Sequence, residues 1–159
     1  MLDTVLSQGV SWVSQSAYIR LVEESTMTES NLDDVKQKLE RYISMTTKTG
    51  QQLAWHYEEA AFPYTIEEKS EGKGKWLYLK GNNPELYKYI VIGVGSETVM
   101  DEESGQEKEE HYIQVVLPDG ATHGDKSKAN EFCKYLAKAY QAKLQLFNGR
   151  TMYFYPRKP

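Results

Sequence analysis

The stretch KWLYLKGNNPELYKYIVIGVG, Lys75–Gly95, is the most informative about the fold because it contains two predicted strands and the turn between them. Apolar side chains alternate with polar or aromatic ones on both sides of the turn sequence GNNP, and this period of two predicts β-strands. The second half, LYKYIVIGVG, gives the strongest strand signal in the chain. The stretch therefore predicts neighbouring antiparallel strands in a sheet.

Further strands are predicted on both sides of this stretch. SAYIRLV at 16–22 and HYIQVVL at 111–117 alternate in the same way, and a strand-like segment at 53–68 precedes the turn KSEGKG. Near the end of the chain, KLQLF and TMYFY are joined by Asn-Gly, the strongest short hairpin signal. The sheet is therefore predicted to be mainly antiparallel.

Two helices are predicted between these strands. The first begins near Ser30, which with Asp33 resembles a capping box. Its apolar stripe continues to about Met45, and Gly50 is predicted to end the segment. The second helix is predicted at 126–142, from a similar apolar stripe.

Antiparallel strands with two helices on one face predict an α+β, two-layer domain. This single domain is predicted at 14–159, and 1–13 form an N-terminal appendage with apolar residues at helical spacing. An offset of 94 residues aligns AYIRLV at 17–22 with HYIQVV at 111–116. A βαββ duplication and two unrelated βα units both remain open as explanations.

The composition is that of an ordinary soluble protein, with 40% hydrophobic and 26% charged residues in a chain of 159. No apolar run is long enough to span a bilayer, and the first residues do not resemble a secretory signal. The single cysteine excludes an intramolecular disulfide, so a cytoplasmic location is predicted.

The net charge of −4 is unevenly distributed. Residues 1–120 hold 21 acids and 11 bases, a balance of −10, whereas 121–159 hold 2 acids and 8 bases, a balance of +6. Part of the acidic excess lies in DEESGQEKEE at 101–110, which is predicted to be a mobile, solvated loop.

Loop 118–127 has the strand–loop–helix layout of a phosphate-binding loop. Its two glycines are separated by three residues instead of four, and Asp125 lies where phosphate charge would come. Capping of the helix by Asp125 or Ser127 is the plainer prediction. The alternative is a small enzyme or an anion or small-ligand site in this loop, formed by His123, Lys126 and Ser127.

No catalytic constellation stands out elsewhere. Cys133 falls on the apolar stripe of the second helix, so it is predicted to be a small buried hydrophobe. The histidines, His56, His111 and His123, are scattered, and no metal or cofactor is predicted. A non-catalytic module is therefore the leading hypothesis.

Alternation along the strands separates an aliphatic set of side chains from an aromatic set. The aliphatic set is expected to pack under the helices. The aromatic set is predicted to form a binding face, since Tyr and Trp suit interfaces, although aromatic pairs also stabilise sheets. Its members are Tyr18, Trp76, Tyr78, Tyr87, Tyr89, Tyr112, Tyr153 and Tyr155.

A second copy of the chain is the simplest partner for this face, because most oligomers are two-fold homodimers. A different protein is an alternative partner for the same face. Single-stranded nucleic acid can stack on aromatic sheets, but Arg20 is the only base expected on the face, so nucleic acid is the lesser hypothesis. A membrane partner is not predicted.

The segments SAYIRLVEES, KWLYLKGNNPELYKYIVIG and AKAYQAKLQLFNGRTMYFYP carry a resemblance to a known family. Together they resemble a group of small uncharacterised proteins from spore-forming Gram-positive bacteria, over about 14–159. The resemblance implies a cytosolic bacterial protein that carries a domain of unknown function. It supplies no functional residues.

Overall fold

The computed structural model of the protein describes residues 15–53, 62–71 and 74–156. The predicted appendage, 1–13, and His56 lie outside the described residues. Within them, two helices and seven strands follow one another as β1 (Gln15–Arg20), α1 (Leu32–Leu53), β2 (Tyr64–Glu71), β3 (Gly74–Asn83), β4 (Tyr87–Met100), β5 (Glu107–Leu117), α2 (His123–Tyr140), β6 (Lys143–Gln145) and β7 (Thr151–Tyr153).

The seven strands form a single open sheet in the order β2-β3-β4-β5-β1-β6-β7. Each of the described strand pairs is antiparallel. Strands β3 and β4, from the stretch Lys75–Gly95, are adjacent, as the sequence predicts. The α+β class is confirmed.

The core lies between one face of the sheet and the two helices. In β1, β3, β4 and β5 it takes alternate residues, which a strand directs to a single face. Both helices contribute their apolar stripes to the same cluster, so they pack on the same side of the sheet. The core includes Ile19, Leu77, Leu79, Ile90, Ile92, Ile113, Val115 and Leu144 from strands, and Val35, Leu39, Tyr42, Ala129, Phe132 and Leu136 from helices.

Helix α1 differs from its prediction at both ends. Its cap is Asn31, whose Oδ1 accepts the backbone N–H of Asp34 at 2.8 Å, so the predicted capping box at Ser30 is wrong. The helix continues past Gly50 to Leu53, because a single glycine costs a helix only about 1 kcal/mol relative to alanine. Within the described residues, no helix has both the length and the apolar character needed to cross a membrane.

The acidic segment 101–110 is not the extended loop that the charge pattern predicted. Strand β4 continues to Met100, which pairs with Glu107 of β5. The turn between them is closed by the N–H of Asp101, which donates to Gln106 O at 2.8 Å. Acidic side chains are compatible with this hairpin because most of them are exposed to solvent, while the backbone satisfies its own hydrogen bonds.

The sheet order gives no support to an internal duplication. Strand β6, which follows α2, pairs with β1. By contrast, β2, which follows α1, lies at the far edge of the sheet beside β3. The strand that follows the helix therefore occupies a different place in the sheet in each βα unit. An internal duplication is not confirmed.

Candidate functional site

Two regions contain the residues that the sequence singled out. The first is the sheet face opposite the helices, which we call the aromatic face. The cross-strand register places the alternate residues of β1, β3, β4 and β5 there, opposite the core set, and Tyr153 of β7 follows the same alternation. Most of its rings are half-buried. The aromatic face carries Tyr18, Trp76, Tyr78, Tyr89, Tyr112 and Tyr153, and Tyr155 lies just beyond β7 with its ring 5.9 Å from that of Tyr153.

Tyr87 departs from the predicted set. Its ring centroid is 5.8 Å from that of Tyr64, a core residue. A Cβ added to Gly124 would lie 2.9 Å from its ring, so Tyr87 also lies against the start of α2. The pairing of β3 with β4 is irregular between Lys80 and Asn83, and strict alternation does not hold there. The assignment of Tyr87 to the aromatic face is therefore wrong.

Arg20 lies among the rings near the middle of the aromatic face. Its guanidinium carbon is 5.1 Å from the ring centroid of Tyr18 and 5.9 Å from that of Tyr112. The same group forms ion pairs with Glu97 and, at 3.4 Å, with Glu110. Its charge is thus matched within the chain, while its planar group extends the aromatic surface.

Other bases accompany Arg20 on the aromatic face, contrary to the prediction that it is alone. Lys69 is the cross-strand neighbour of Trp76, and its Nζ is 4.3 Å from the ring centroid of Tyr78. Lys80 and Lys143 follow the same alternation. Alternation within KWLYLK already places Lys80 beside Trp76 and Tyr78, so the prediction overlooked it, whereas the position of Lys69 opposite Trp76 required the strand register.

The second region is a cleft of about 690 Å³ beside the start of α2. One wall is the turn between β3 and β4, and the other is the loop between β5 and α2 with the first turn of that helix. The lining residues are Gln15, Glu85, Leu86, Tyr87, Leu117, Pro118, Asp119, Gly120, Ala121, Thr122, His123, Gly124 and Lys126.

A fully buried carboxylate holds the two walls of this cleft together. Asp125 accepts hydrogen bonds from the backbone N–H groups of Lys88 at 3.0 Å, Tyr89 at 3.3 Å and Thr122 at 2.9 Å. It also accepts the hydroxyl of Tyr64 at 2.6 Å. Several donors aimed at a carboxylate compensate for its loss of water. Asp125 therefore acts as a clamp between strand β2, strand β4 and helix α2.

The cap of α2 completes this clamp. Thr122 is the N-cap, and its Oγ1 accepts the N–H of Asp125 at 3.0 Å while the Asp125 carboxylate accepts the N–H of Thr122. The Thr122 hydroxyl in turn donates to Leu86 O at 2.5 Å. The sequence predicted Asp125 or Ser127 as the cap of a helix that begins at 126. Asp125 instead belongs to the capping box as its N3 residue, and the N-cap Thr122 was missed, although Thr-x-x-Asp resembles a capping box. Ser127 is not the N-cap.

The three predicted ligand residues are only partly brought together. His123 and Lys126 line the cleft, whereas Ser127 is exposed on α2 and does not. The opposite wall, with Glu85 and Leu86, was missed. No local signal could have found it, because the turn and α2 are separated by more than 30 residues.

Two tyrosines in the core have perturbed hydroxyls. Burial, and then the hydrogen bond to Asp125, raise the pKa of Tyr64 well above its ordinary value. Burial, and then the hydrogen bond to Asp34 near the start of α1, raise the pKa of Tyr140 in the same direction. In each case a buried tyrosine hydroxyl binds an aspartate three residues after a helix cap.

Folding stability is expected to fall as the pH rises above about 10, and these tyrosines provide the reason. An unfolded tyrosine ionises near pH 10.0, whereas Tyr64 and Tyr140 stay protonated at higher pH in the folded state. The unfolded state therefore loses protons first, and each tyrosine lowers the free energy of unfolding by about 1.4 kcal/mol per pH unit above that point. Urea unfolding between about pH 9 and pH 11 would measure the slope.

The variant Tyr64→Phe tests the assignment, because it removes the contribution of Tyr64 and leaves those of Tyr140 and the buried Cys133 thiol. Above about pH 10 its slope should be shallower than that of the unmodified protein by about 1.4 kcal/mol per pH unit. Only the change of the unfolding free energy with pH is compared, so a lower stability of the variant at neutral pH does not affect the test. An unchanged slope would show that Tyr64 is not the group responsible.

Cys133 is fully buried in α2, as predicted, and burial raises the pKa of its thiol. A neutral, inaccessible thiol is a poor nucleophile. Among the residues that the structure describes, no group of three or more His, Cys, Asp or Glu side chains could hold a metal ion.

The fold and these two regions define a small α+β protein whose two described helices pack on one face of the sheet beside a loop cleft. The chain belongs to the family described as Domain of unknown function (DUF1885), which it matches over residues 15–156. A protein of unknown function from Bacillus stearothermophilus, with a known crystal structure, is 44% identical to it. That alignment covers 84% of this chain and 95% of the other, with a TM-score of 0.49. No curated protein matches.

Proposed function

We propose that the protein is a non-catalytic binding module that forms a homodimer through its aromatic face. The observation that carries this proposal is the composition of that face. Tyrosine and tryptophan have an apolar body with a polar tip, and they are enriched where one protein surface covers another. The described helices both pack on the opposite side of the sheet.

The size of the aromatic face supports a protein partner. Strands β1 to β5, each at least six residues long, lie about 4.8 Å apart and rise about 3.3 Å per residue, which gives a projected area of roughly 500 Å². Gln114 and Val116, on this side of β5, are already buried. A stable interface typically takes about 800 Å² of accessible surface from each partner. The two areas are of the same order.

The charges of the face are compatible with a second copy, since Arg20 offsets only one of the two carboxylates with which it pairs. Lys69 and Lys80 lie toward the β2 edge, whereas Glu97 and Glu110 lie at the base of the acidic β4–β5 hairpin. A two-fold rotation can place acids of one copy against bases of the other. Such an interface is self-complementary, as a two-fold dimer requires.

The non-catalytic part of the proposal is supported by the roles of the perturbed groups. Tyr64 and Asp125 hold β2 to α2, and Tyr140 holds α2 to the start of α1. Cys133 is packed in the core. Each of these groups is accounted for by its part in the packing.

Light scattering of the purified protein over a range of concentrations tests the proposal. The expected mass is twice the 18.3 kDa of one chain. The double variant Trp76→Ser/Tyr78→Ser should weaken the dimer by roughly thirtyfold or more, as expected when interface aromatics are lost. Tyr89 is avoided because its hydroxyl donates to Asp119 O and supports the cleft wall.

Leu86→Ser is the matched control, because Leu86 is an exposed apolar residue outside the aromatic face. It should leave the mass unchanged. A monomer at every concentration would overturn the homodimer. Binding of a single-stranded oligonucleotide at low salt that disappears at high salt would instead assign the face to nucleic acid.

A further inference from the structure

We propose that the cleft beside α2 binds a small zwitterion with an apolar body, namely a free α-amino acid or a short unblocked peptide. This site is separate from the aromatic face and does not rest on the homodimer. Three features of the cleft support it: preformed walls, an apolar lining and exposed charges of both signs.

The walls are held in place without a ligand. The Asp125 carboxylate joins β4 to α2, and the Thr122 hydroxyl joins α2 to the β3–β4 turn. A Cβ added to Gly124 would lie only 2.3 Å from Leu86 O, so the turn packs directly on the helix. Sites for small molecules are usually preformed in this way.

The lining offers a place for an apolar group. Leu117 and Pro118 are buried in the cleft wall, and Leu86 is 58% exposed at its edge. The volume of about 690 Å³ falls within the range of roughly 300–1,000 Å³ for small-molecule sites. An apolar side chain that enters here would shield Leu86 from water.

The charges decide the class of ligand. Lys126 and His123 lie one helical turn apart on α2, while Glu85 and Asp119 belong to the turn and the loop that face the cleft. Lys126, Glu85 and Asp119 form no ion pair with another described residue. Phosphate would be repelled by the two carboxylates. A ligand with both a carboxylate and an ammonium group matches both signs.

Calorimetric titration of the full chain with three probes tests this site. The probes are free L-leucine, unblocked trileucine, and N-acetyl-L-leucine amide, which lacks both charges. Saturable binding of leucine or trileucine is expected, and the stronger of the two identifies the source as amino acid or peptide. The blocked probe should bind at least about tenfold more weakly, since it loses two charge-assisted contacts.

Two variants locate the binding. Lys126→Met and Glu85→Gln should each weaken binding about tenfold, and both positions are exposed, so the fold is retained. Lys134→Met is the matched control, an exposed lysine on the same helix outside the cleft. Equal affinity for the blocked probe, saturable binding of inorganic phosphate alone, or no binding of any probe would each overturn the proposal. None of these results depends on the oligomeric state.

Discussion

Replacing Asp125 with alanine is expected to lower the free energy of unfolding by about 3–5 kcal/mol, because several hydrogen-bond donors lose their acceptor together. The backbone N–H groups of Lys88, Tyr89 and Thr122 and the hydroxyl of Tyr64 all donate to this carboxylate. Asp125 is fully buried, and its donors are buried or partly buried, so water does not simply replace the lost acceptor. The Thr122 hydroxyl still caps the N–H of residue 125 in this variant, so only the carboxylate half of the capping box is lost.

Urea unfolding at neutral pH, with the midpoint and slope fitted separately, measures this effect. Asp119→Ala is the matched control, since Asp119 is an exposed acid in the same loop and its side chain makes no described ion pair. It should change stability by less than about 0.5 kcal/mol. If Asp125→Ala cost less than about 1 kcal/mol, the clamp would not be a major source of stability.

Phe132→Ala is expected to cost a similar amount, about 3–5 kcal/mol, for a different physical reason. Phe132 is fully buried in α2, and its ring centroid lies 5.5 Å from that of Tyr42, 5.2 Å from Phe62 and 6.0 Å from Tyr64. Truncation removes apolar burial and leaves a cavity that several rings cannot all fill. It also loosens Tyr64, which binds Asp125.

Phe132→Leu is the control that separates lost volume from lost aromatic character. It keeps most of the buried volume, so it should cost less than about 1.5 kcal/mol. The double variant Asp125→Ala/Phe132→Ala should lose less than the sum of the single variants, because both act on Tyr64. Equal losses for the alanine and leucine variants would contradict the cavity argument.

The regular elements follow from patterns that are local in sequence. Alternation along residues 75–95 gave two neighbouring strands, and the apolar stripe of the second helix placed Cys133 in the core. The same alternation separated the aliphatic face from the aromatic one. These assignments succeeded because side-chain direction repeats every two residues in a strand and every 3.6 residues in a helix, independently of the tertiary structure.

Local sequence patterns gave wrong predictions where strand pairing or helix packing contributed more free energy than the local composition. Charge predicted a mobile loop at 101–110, but β5 begins at Glu107, and a hydrogen-bonded turn joins it to the end of β4 at Met100. Glycine predicted an earlier end to α1, but one glycine costs too little to end a helix of 22 residues. In both places the local preference was real, but the free energy that it contributes was too small to outweigh strand pairing or helix continuation.

The α+β class and the alternation that separates the two sides of the sheet follow from the sequence alone, which also placed Asp125 at the start of the second helix. Only the tertiary structure decided that Tyr87 leaves the aromatic face and that the β3–β4 turn forms one wall of a cleft with α2. The contacts responsible join Asp125 to residues 37 and 61 positions away in the chain. Periodicity carries no information about such contacts, because they depend on how the finished sheet and helices pack against one another.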